Sequence, residues 1–277
     1  EITDTERSAR EQIAIEWMRE RIQEAGVEVD DHYEKYRLSD ALMSMYKLIW
    51  DDFCSWFLEM IKPNYGDPIS RKTQEESLAL FEELMKMLHP FMPFLTEELY
   101  QRMDTRAAGD FICIAQQTQP KGSQAAILSE VELMKEAISS VRAFRAEKGL
   151  SPKEPIELYI NTEQEALFQR FESVLIKFLN ISKFEFVKEQ QDGTASLRVQ
   201  SHEFYIPLGS IDVEAEKAKI HKEIEYEEGF LEKVMKKLSN ERFVNNAPEK
   251  VVALERKKKA DAEARLETLR KSLAELG

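Results

Sequence analysis

Apolar residues recur every three or four positions over most of this chain, in blocks separated by Gly, Pro, Asn and Asp. Such spacing puts apolar side chains on one face of a helix. Residues 6–25 carry Ile13, Trp17 and Ile22 in this way, and Gly26 is expected to end that helix. "VEVDD" then reads as a short connection, with Asp30 or Asp31 capping the next helix. Residues 32–62 hold Leu38, Leu42, Met45, Ile49, Phe53, Trp56 and Met60, which predicts one helix of roughly 45 Å, stopped by "KPNYGDP". Residues 73–88 predict a third helix, opened by a Thr73-x-x-Glu76 capping box and striped by Leu78, Phe81, Leu84, Met85 and Leu88.

"HPFMPFLTEELYQRM" (89–103) breaks this regularity with Pro90 and Pro93 inside an apolar run. A proline is tolerated in the first turn of a helix, where its missing N–H is not needed. The two prolines therefore predict a stop and a restart at Pro93, with the apolar residues around them packing the corner and His89 capping or packing.

The middle of the chain changes period. "FICIA" (111–115) reads as extended, and 129–148 as a helix with Leu133, Ala137, Ile138 and Val141 inward, ended by Gly149 and Pro152. "IELYI" (156–160), "FEFV" (184–187), "SLRV" (196–199) and "FYIPL" (204–208) are β-rich. A helix at 163–179 and a turn at Asp192-Gly193 complete a small α+β module.

Heptad spacing returns in the tail. Val213, Ile220, Ile224, Leu231, Val234 and Leu238 step by seven, four and three, and Val252, Ala262, Leu266, Leu269, Leu273 and Leu276 step by four and three after an opening gap of ten, following "SNERFVNNAPE", where Pro248 suits a first turn. Two helices of about 27 residues make an antiparallel coiled-coil hairpin roughly 40 Å long. The expected fold is mainly α: a helical bundle over 1–118, a helix plus small α+β junction module over 119–210, and a coiled-coil arm over 211–277.

Charge sharpens this picture. The chain carries −13, yet residues 211–277 balance 15 acids with 15 bases, so the whole deficit lies upstream. Residues 229–261 hold nine bases to five acids, whereas 212–228 hold three bases to seven acids. The arm is thus polarised along its length, and its basic half can meet phosphates. Aromatics at 9% and apolar residues at 43% suffice for a core. Trp17, Trp50 and Trp56 are expected in it. Cys54 and Cys113 read as buried free thiols of a reducing compartment. No run approaches the ~18 apolar residues of a membrane span. "EITDTERSAR" has no apolar signal-peptide core, and its abruptness is expected of a chain cut from something larger.

Catalytic chemistry is not in view. The sequence contains neither G-x-x-x-x-G-K-[ST] nor G-x-G-x-x-G, and its four histidines (32, 89, 202, 221) and two cysteines form no metal-ligand spacing. No catalytic residue and no metal ligand is expected.

"YKLIWDDFCSWFLEMIKP" followed by "HPFMPFLTEELYQ" resembles the anticodon-binding bundle of class I aminoacyl-tRNA synthetases of the valine, isoleucine and leucine group. "VRAFRAEKGLSP" is similar to the junction after that bundle. "IPLGSIDVEAEKAKI" and "KKLSNERFVNNAPEKVVALERKK" resemble the C-terminal arm of the bacterial-type valyl-tRNA synthetases, the most specific part of the likeness. The family's H-x-G-H and K-M-S-K-S type signatures are not present. The helix bearing its N-x-x-R-F-like run is expected to be missing.

The resemblance implies a tRNA partner accepting valine, with the bundle at the anticodon stem-loop and the arm at the outer corner of the tRNA. It places ATP and magnesium with a catalytic domain that this chain lacks, so the chain alone is expected to be inactive. A cytoplasmic monomer without membrane contact is expected. Candidate phosphate contacts are Lys233, Lys236, Lys237, Arg242, Arg256, Lys257, Lys258 and Lys259. Arg142 and Arg145 share a helix face, and either meet the tRNA or pair with bundle carboxylates. Phe243 either packs the hairpin tip or rests on RNA. The alternative is a non-catalytic coiled-coil adaptor whose arm binds a protein partner. Glu255 and Lys259, at core-type positions, weaken the seam and suit a contacting surface of either kind.

Overall fold

A computed structural model describes residues 2–123, 125–207 and 213–239, together with Glu255, Lys258, Lys259, Ala262, Leu266 and Arg270. The chain divides into two compact units. The first is Glu1–Ala143, Pro152–Glu189 and Leu197–Phe204; the second is Phe144–Ser151, Gln190–Ser196 and Tyr205–Gly277. The architecture is mainly α with two small sheets among the described residues.

In the first unit, β1 (Ile2–Thr3) leads to α1 (Ala9–Glu34), which opens with a true capping box between Ser8 and Glu11. Helix α1 runs straight through Gly26. A Cβ there would stand 2.6 Å from Cβ of Pro120, so the glycine admits a crossing segment instead of ending a helix. That segment is tied to α1 by Lys121 N–H donating to Gln23 (3.0 Å) and the Ser123 hydroxyl donating to Glu20 (2.6 Å).

The break comes ten residues later, at Tyr36, which takes φ 55° while Arg37 N–H donates to the His32 carbonyl at 2.8 Å. The expected single helix over 32–62 is therefore two. After the break, α2 (Leu38–Tyr46), a π-helical run (Lys47–Phe57) and α3 (Leu58–Ile61) follow without interruption. The wide winding is visible where Leu58 N–H donates to the Phe53 carbonyl, five residues back. It changes which side chains face inward. Phe53 and Phe57 are buried and stack at 5.0 Å, but Trp50 of the same run stands at the surface at 59% exposure; Leu38 and Leu42, in α2 before it, are exposed as well. Trp17 is fully buried, as expected.

The short β2 (Ile69–Ser70) pairs in parallel with β1 and leads into α4 (Arg71–Leu88). Thr73 does not cap this helix. It is buried inside it and accepts from Arg7 Nε at 3.2 Å, while Glu76 pairs with Arg7 and Arg19. Leu78 lies outside the stripe; Leu80, Leu84, Met85 and Met87 form it.

The proline corner behaves as the sequence predicts, with α5 (Pro93–Met103) starting on Pro93. What holds it differs. His89 Nδ1 hydrogen-bonds Thr96 Oγ1 at 2.7 Å, Thr96 is buried, and Phe91 stacks on Tyr33 at 5.9 Å. Met92, Phe94 and Leu95 are exposed, so a polar clasp and one aromatic contact close the corner. Beyond it "FICIA" is not extended: Ile112–Ile114 is a 3-10 turn anchored through Glu97, which accepts from Ile112 N–H at 2.9 Å. Cys54 and Cys113 are free thiols, but both are exposed.

Helix α6 (Ala126–Glu147) buries Leu133, Ala137, Ile138 and Val141 and ends at Gly149, whose φ of 67° supplies the left-handed turn. Then β3 (Ile156–Asn161), α7 (Glu165–Leu179) and β4 (Ile181–Phe186) form a parallel β-α-β unit, with Leu158 opposite Phe184. With β5 (Thr194–Val199) and β6 (His202–Pro207) they make a four-stranded sheet in the order β4-β3-β6-β5. Phe168 of α7 meets Phe204 edge-to-face at 5.7 Å and His202 at 4.9 Å.

A charged knot organises the first unit. The Asp52 carboxylate of the π-helical run accepts from Arg21 Nε of α1 and from Lys135 Nζ of α6, both at 2.8 Å. Lys135 also lies 4.6 Å from the centre of the Trp17 ring and 5.7 Å from that of Trp56. Burial alone would lower the Arg21 pKa, but the hydrogen bond and charge of Asp52, with Glu24, raise it. Removing one member of a buried charge set costs about 3–5 kcal/mol, because the others lose their partner. Asp52→Ala is expected to lower the unfolding free energy by about 3 kcal/mol in urea titrations followed by far-UV circular dichroism.

His202 offers a pH test. It is buried against Phe168 and hydrogen-bonds Thr162 Oγ1 at 2.8 Å, and burial pushes its pKa below the ordinary histidine value. The unfolded chain then binds a proton more readily than the folded one. The stability tied to neutral His202 is intact above about pH 6.5 and is lost as pH falls through the lower folded value. His202→Gln is expected to flatten the stability curve between about pH 7 and 5.

Candidate nucleic-acid interface

The second unit contains α8 (Val213–Leu238), followed by helical residues at Glu255, Lys258, Lys259, Ala262, Leu266 and Arg270. Arg270 pairs with Glu228 at 2.7 Å, and Glu255 with Lys237 at 3.7 Å. As one number rises the other falls, so the two helical stretches run antiparallel. Val234, Ala262 and Leu266 are buried in the seam, at the heptad positions read from the sequence.

Lys233, Lys236 and Lys237 lie exposed around the last turns of α8, flanking buried Val234. Cations there also suit the negative end of the helix dipole. Phe230, Lys233, Val234, Lys236, Lys237, Glu255 and Lys258 line a hollow of about 500 Å³. Four of the predicted lysines, from two distant stretches, are thus gathered round one depression. Lys259 is half-buried on the second stretch. Arg242, Arg256 and Lys257 lie outside the described residues, as does Phe243.

Glu255 has a role that spacing alone did not reveal. It is buried at a seam position and accepts from Lys258 Nζ at 2.8 Å. That hydrogen bond, with the charge of Lys237, holds its carboxyl below the usual glutamate range. The acid at a core-type position is therefore the anchor that draws lysines of both helices together. A seam acid among lysines was the available signal.

Arg142 and Arg145 share α6 but not a task. Arg142 donates from Nη2 to the Phe178 carbonyl at 3.1 Å, with its guanidinium 5.5 Å from the Phe178 ring centre. Arg145 is 3% exposed and donates from Nη2 to the Ser151 carbonyl, inside the turn that follows α6. Among the described residues, no bundle carboxylate lies within ion-pair distance of Arg142.

Residues 16–160 match the anticodon-binding domain of tRNA ligase, and residues 212–277 match the valyl tRNA synthetase tRNA binding arm. The chain belongs to the anticodon-binding tRNA ligase family. It is 51% identical over 265 residues to the valine–tRNA ligase of Christiangramia forsetii, covering 95% of this chain and 30% of that protein. It is 43% identical over 277 residues to that of Phocaeicola vulgatus, covering 100% of this chain and 31% of the relative. The valine–tRNA ligase of Agrobacterium fabrum is more distant, at 31% over 266 residues and 28% of its length. The chain therefore spans about 30% of the length of the curated relatives it matches. Within this family frame, the lysine hollow falls in the matched tRNA binding arm and Arg142 in the matched anticodon-binding domain.

Acid should loosen the arm in a defined window. Glu255 stabilises it while ionised, fully above the ordinary carboxylate pKa, and this is lost as pH falls through its lower folded value. Helical signal from the arm, followed by hydrogen exchange of α8 amides, is expected to weaken below about pH 4.5, and Glu255→Gln to remove that dependence.

Proposed function

We propose that this chain is a tRNA-binding, C-terminal portion of a valine–tRNA ligase, contacting valine tRNA so that a separate catalytic domain can charge it. One observation carries the reading: lysines from both helices of the arm face one hollow, within a stretch that matches a tRNA binding arm. Phosphate oxygens spaced along an RNA backbone are the natural ligands of such a set. The contacts we assign are Lys233, Lys236, Lys237, Lys258 and Lys259, continued by Arg242, Arg256 and Lys257. Arg142 is assigned to the body of the tRNA. Arg145, being buried, would act by holding the turn after α6 in place.

The work is divided among a bundle over 1–118 at the anticodon stem-loop, a junction module over 119–210, and an arm over 211–277 at the outer corner. Valine activation with ATP and magnesium belongs to the longer relatives' catalytic part. Among the described residues no helix is long and apolar enough to cross a membrane, and no group of three or more His, Cys, Asp or Glu can hold a metal. A cytoplasmic, monomeric setting fits this role. The acidic remainder of the chain would repel RNA in wrong poses and so sharpen orientation.

Filter binding with valine tRNA tests the reading. Affinity is expected to be weak and to fall linearly in log–log form with salt, by a slope of roughly 0.9 per phosphate contact. Changing Lys257, Lys258 and Lys259 to Ala should reduce that slope by about 2 to 3. Absence of binding at low salt, or a slope indifferent to these changes, would leave a protein-binding adaptor as the better description. Purified chain should show no aminoacylation, and any ATP-dependent charging would overturn that expectation.

A further inference from the structure

Most bases of the first unit that lie near carboxylates are ion-paired with them. Arg21 and Lys135 share Asp52, Arg7 and Arg19 share Glu76, Lys86 and Arg106 share Glu82, and Arg170 bridges Glu16 and Glu130. One group departs from this. Arg10 near the start of α1 donates from Nη2 to the carbonyl of Lys62 at 3.2 Å, and Lys177 Nζ in the last turn of α7 donates to the same oxygen. Next along α7, Phe178 offers its carbonyl and its ring face to Arg142. Arg10 and Lys177 therefore converge on one carbonyl of Lys62, whose own charge also acts on Lys177, and Arg142 is held at Phe178, the residue after Lys177; together these make a basic strip from four distant parts of the sequence. Among the described residues, Lys62 has Glu59 at 3.1 Å, and Arg10, Lys177 and Arg142 have no carboxylate within ion-pair distance.

Capping accounts for part of this. Basic side chains often satisfy the last carbonyls of a helix. It leaves donors over. An ammonium carries three N–H donors and this carbonyl takes one. The Nε of Arg10 is shielded from solvent and has no hydrogen-bond partner. The grouping is also self-repulsive: burial, then Arg10 and Lys62, lower the Lys177 pKa, with only Glu59 acting in the other direction. Burial likewise lowers that of Arg10. Like charges held this close repel one another, on the part of the chain that holds the whole −13, and an anion bound among them would relieve that repulsion.

We propose that Arg10, Lys62, Lys177 and Arg142 bind the phosphate backbone of RNA, as a contact of the first unit independent of the arm's lysines. This rests on the tRNA reading above and extends the contact assigned to Arg142 to three further residues of the first unit. The contact is sequence-independent. The Phe178 ring, the aromatic beneath the strip, is covered by Arg142 on one side and stacked at 5.2 Å by Trp56, so it is not free to read a base. The strip positions tRNA without selecting among tRNAs.

Two measurements on the full chain decide it. In salt titrations with valine tRNA, Lys177→Gln combined with Arg142→Gln should lower the log–log slope by roughly 1.5. The circular dichroism spectrum should stay that of the unaltered chain. A slope equal to that of the unaltered chain, while Lys258→Ala with Lys259→Ala lowers its own, overturns this proposal alone. No RNA binding by the unaltered chain overturns it together with the tRNA reading. Lysine acetylation footprinting needs no substitution. Lys62 and Lys177 should acetylate readily in the free chain and be protected several-fold by tRNA, but not by inorganic phosphate at the same phosphate concentration. Equal protection by inorganic phosphate would make this a free-anion pocket, and unchanged acetylation with tRNA bound would remove the site.

Discussion

The first unit depends on one carboxylate. Asp52 receives Arg21 from α1 and Lys135 from α6, and Lys135 in turn sits over Trp17 and near Trp56. Trp56 then stacks on Phe178 of α7. Three helical elements meet through one buried charge set and a fourth joins through the Trp56 ring, so the relative rotation of the three is set by directional bonds as well as by apolar burial. Apolar contacts alone tolerate sliding; a carboxylate with two donors at 2.8 Å does not. The π-helical winding of Lys47–Phe57 belongs to this arrangement, since it sets which side chains of that run face the knot.

The arm repeats the logic at smaller scale. Its seam holds Val234, Ala262 and Leu266, but also Glu255, which a purely apolar zipper would exclude. A seam acid weakens packing in its own layer. In exchange it fixes Lys237 and Lys258, from different helices, around one hollow. Local stability is traded for a positioned cluster of positive charge. The same trade recurs where Arg10 and Lys177 converge on the Lys62 carbonyl at a cost in mutual repulsion. In both places cations are organised by a fixed acceptor and kept close together, which suits a polyanion whose charges are regularly spaced.

Family membership and physical reading agree on what this chain contributes. It matches the anticodon-binding domain and the tRNA binding arm, and it spans about 30% of its relatives' length. Its distinctive surface features are groups of cations on an acidic body.

Element type and order were legible in the sequence, because a 3.6-residue period, a proline pair and a heptad are local signals. The restart at Pro93, the β-α-β pattern and the heptad-spaced arm all follow from residues a few positions apart. The charge polarity of the arm was equally legible. What the sequence could not determine depended on partners far along the chain. Gly26 reads as a helix end until Pro120 is seen packed against it. Trp50 reads as core until the π-helical run turns it outward, and Thr73 as a cap until Arg7 reaches it. Arg142 and Arg145 look equivalent on one helix face, yet one meets Phe178 and the other closes the turn at Ser151. Arg10, Lys62 and Lys177 share no motif at all. Only the packing of α1, α3 and α7 brings them to a single carbonyl oxygen, because burial and long-range pairing are properties of the folded chain and not of any window along it.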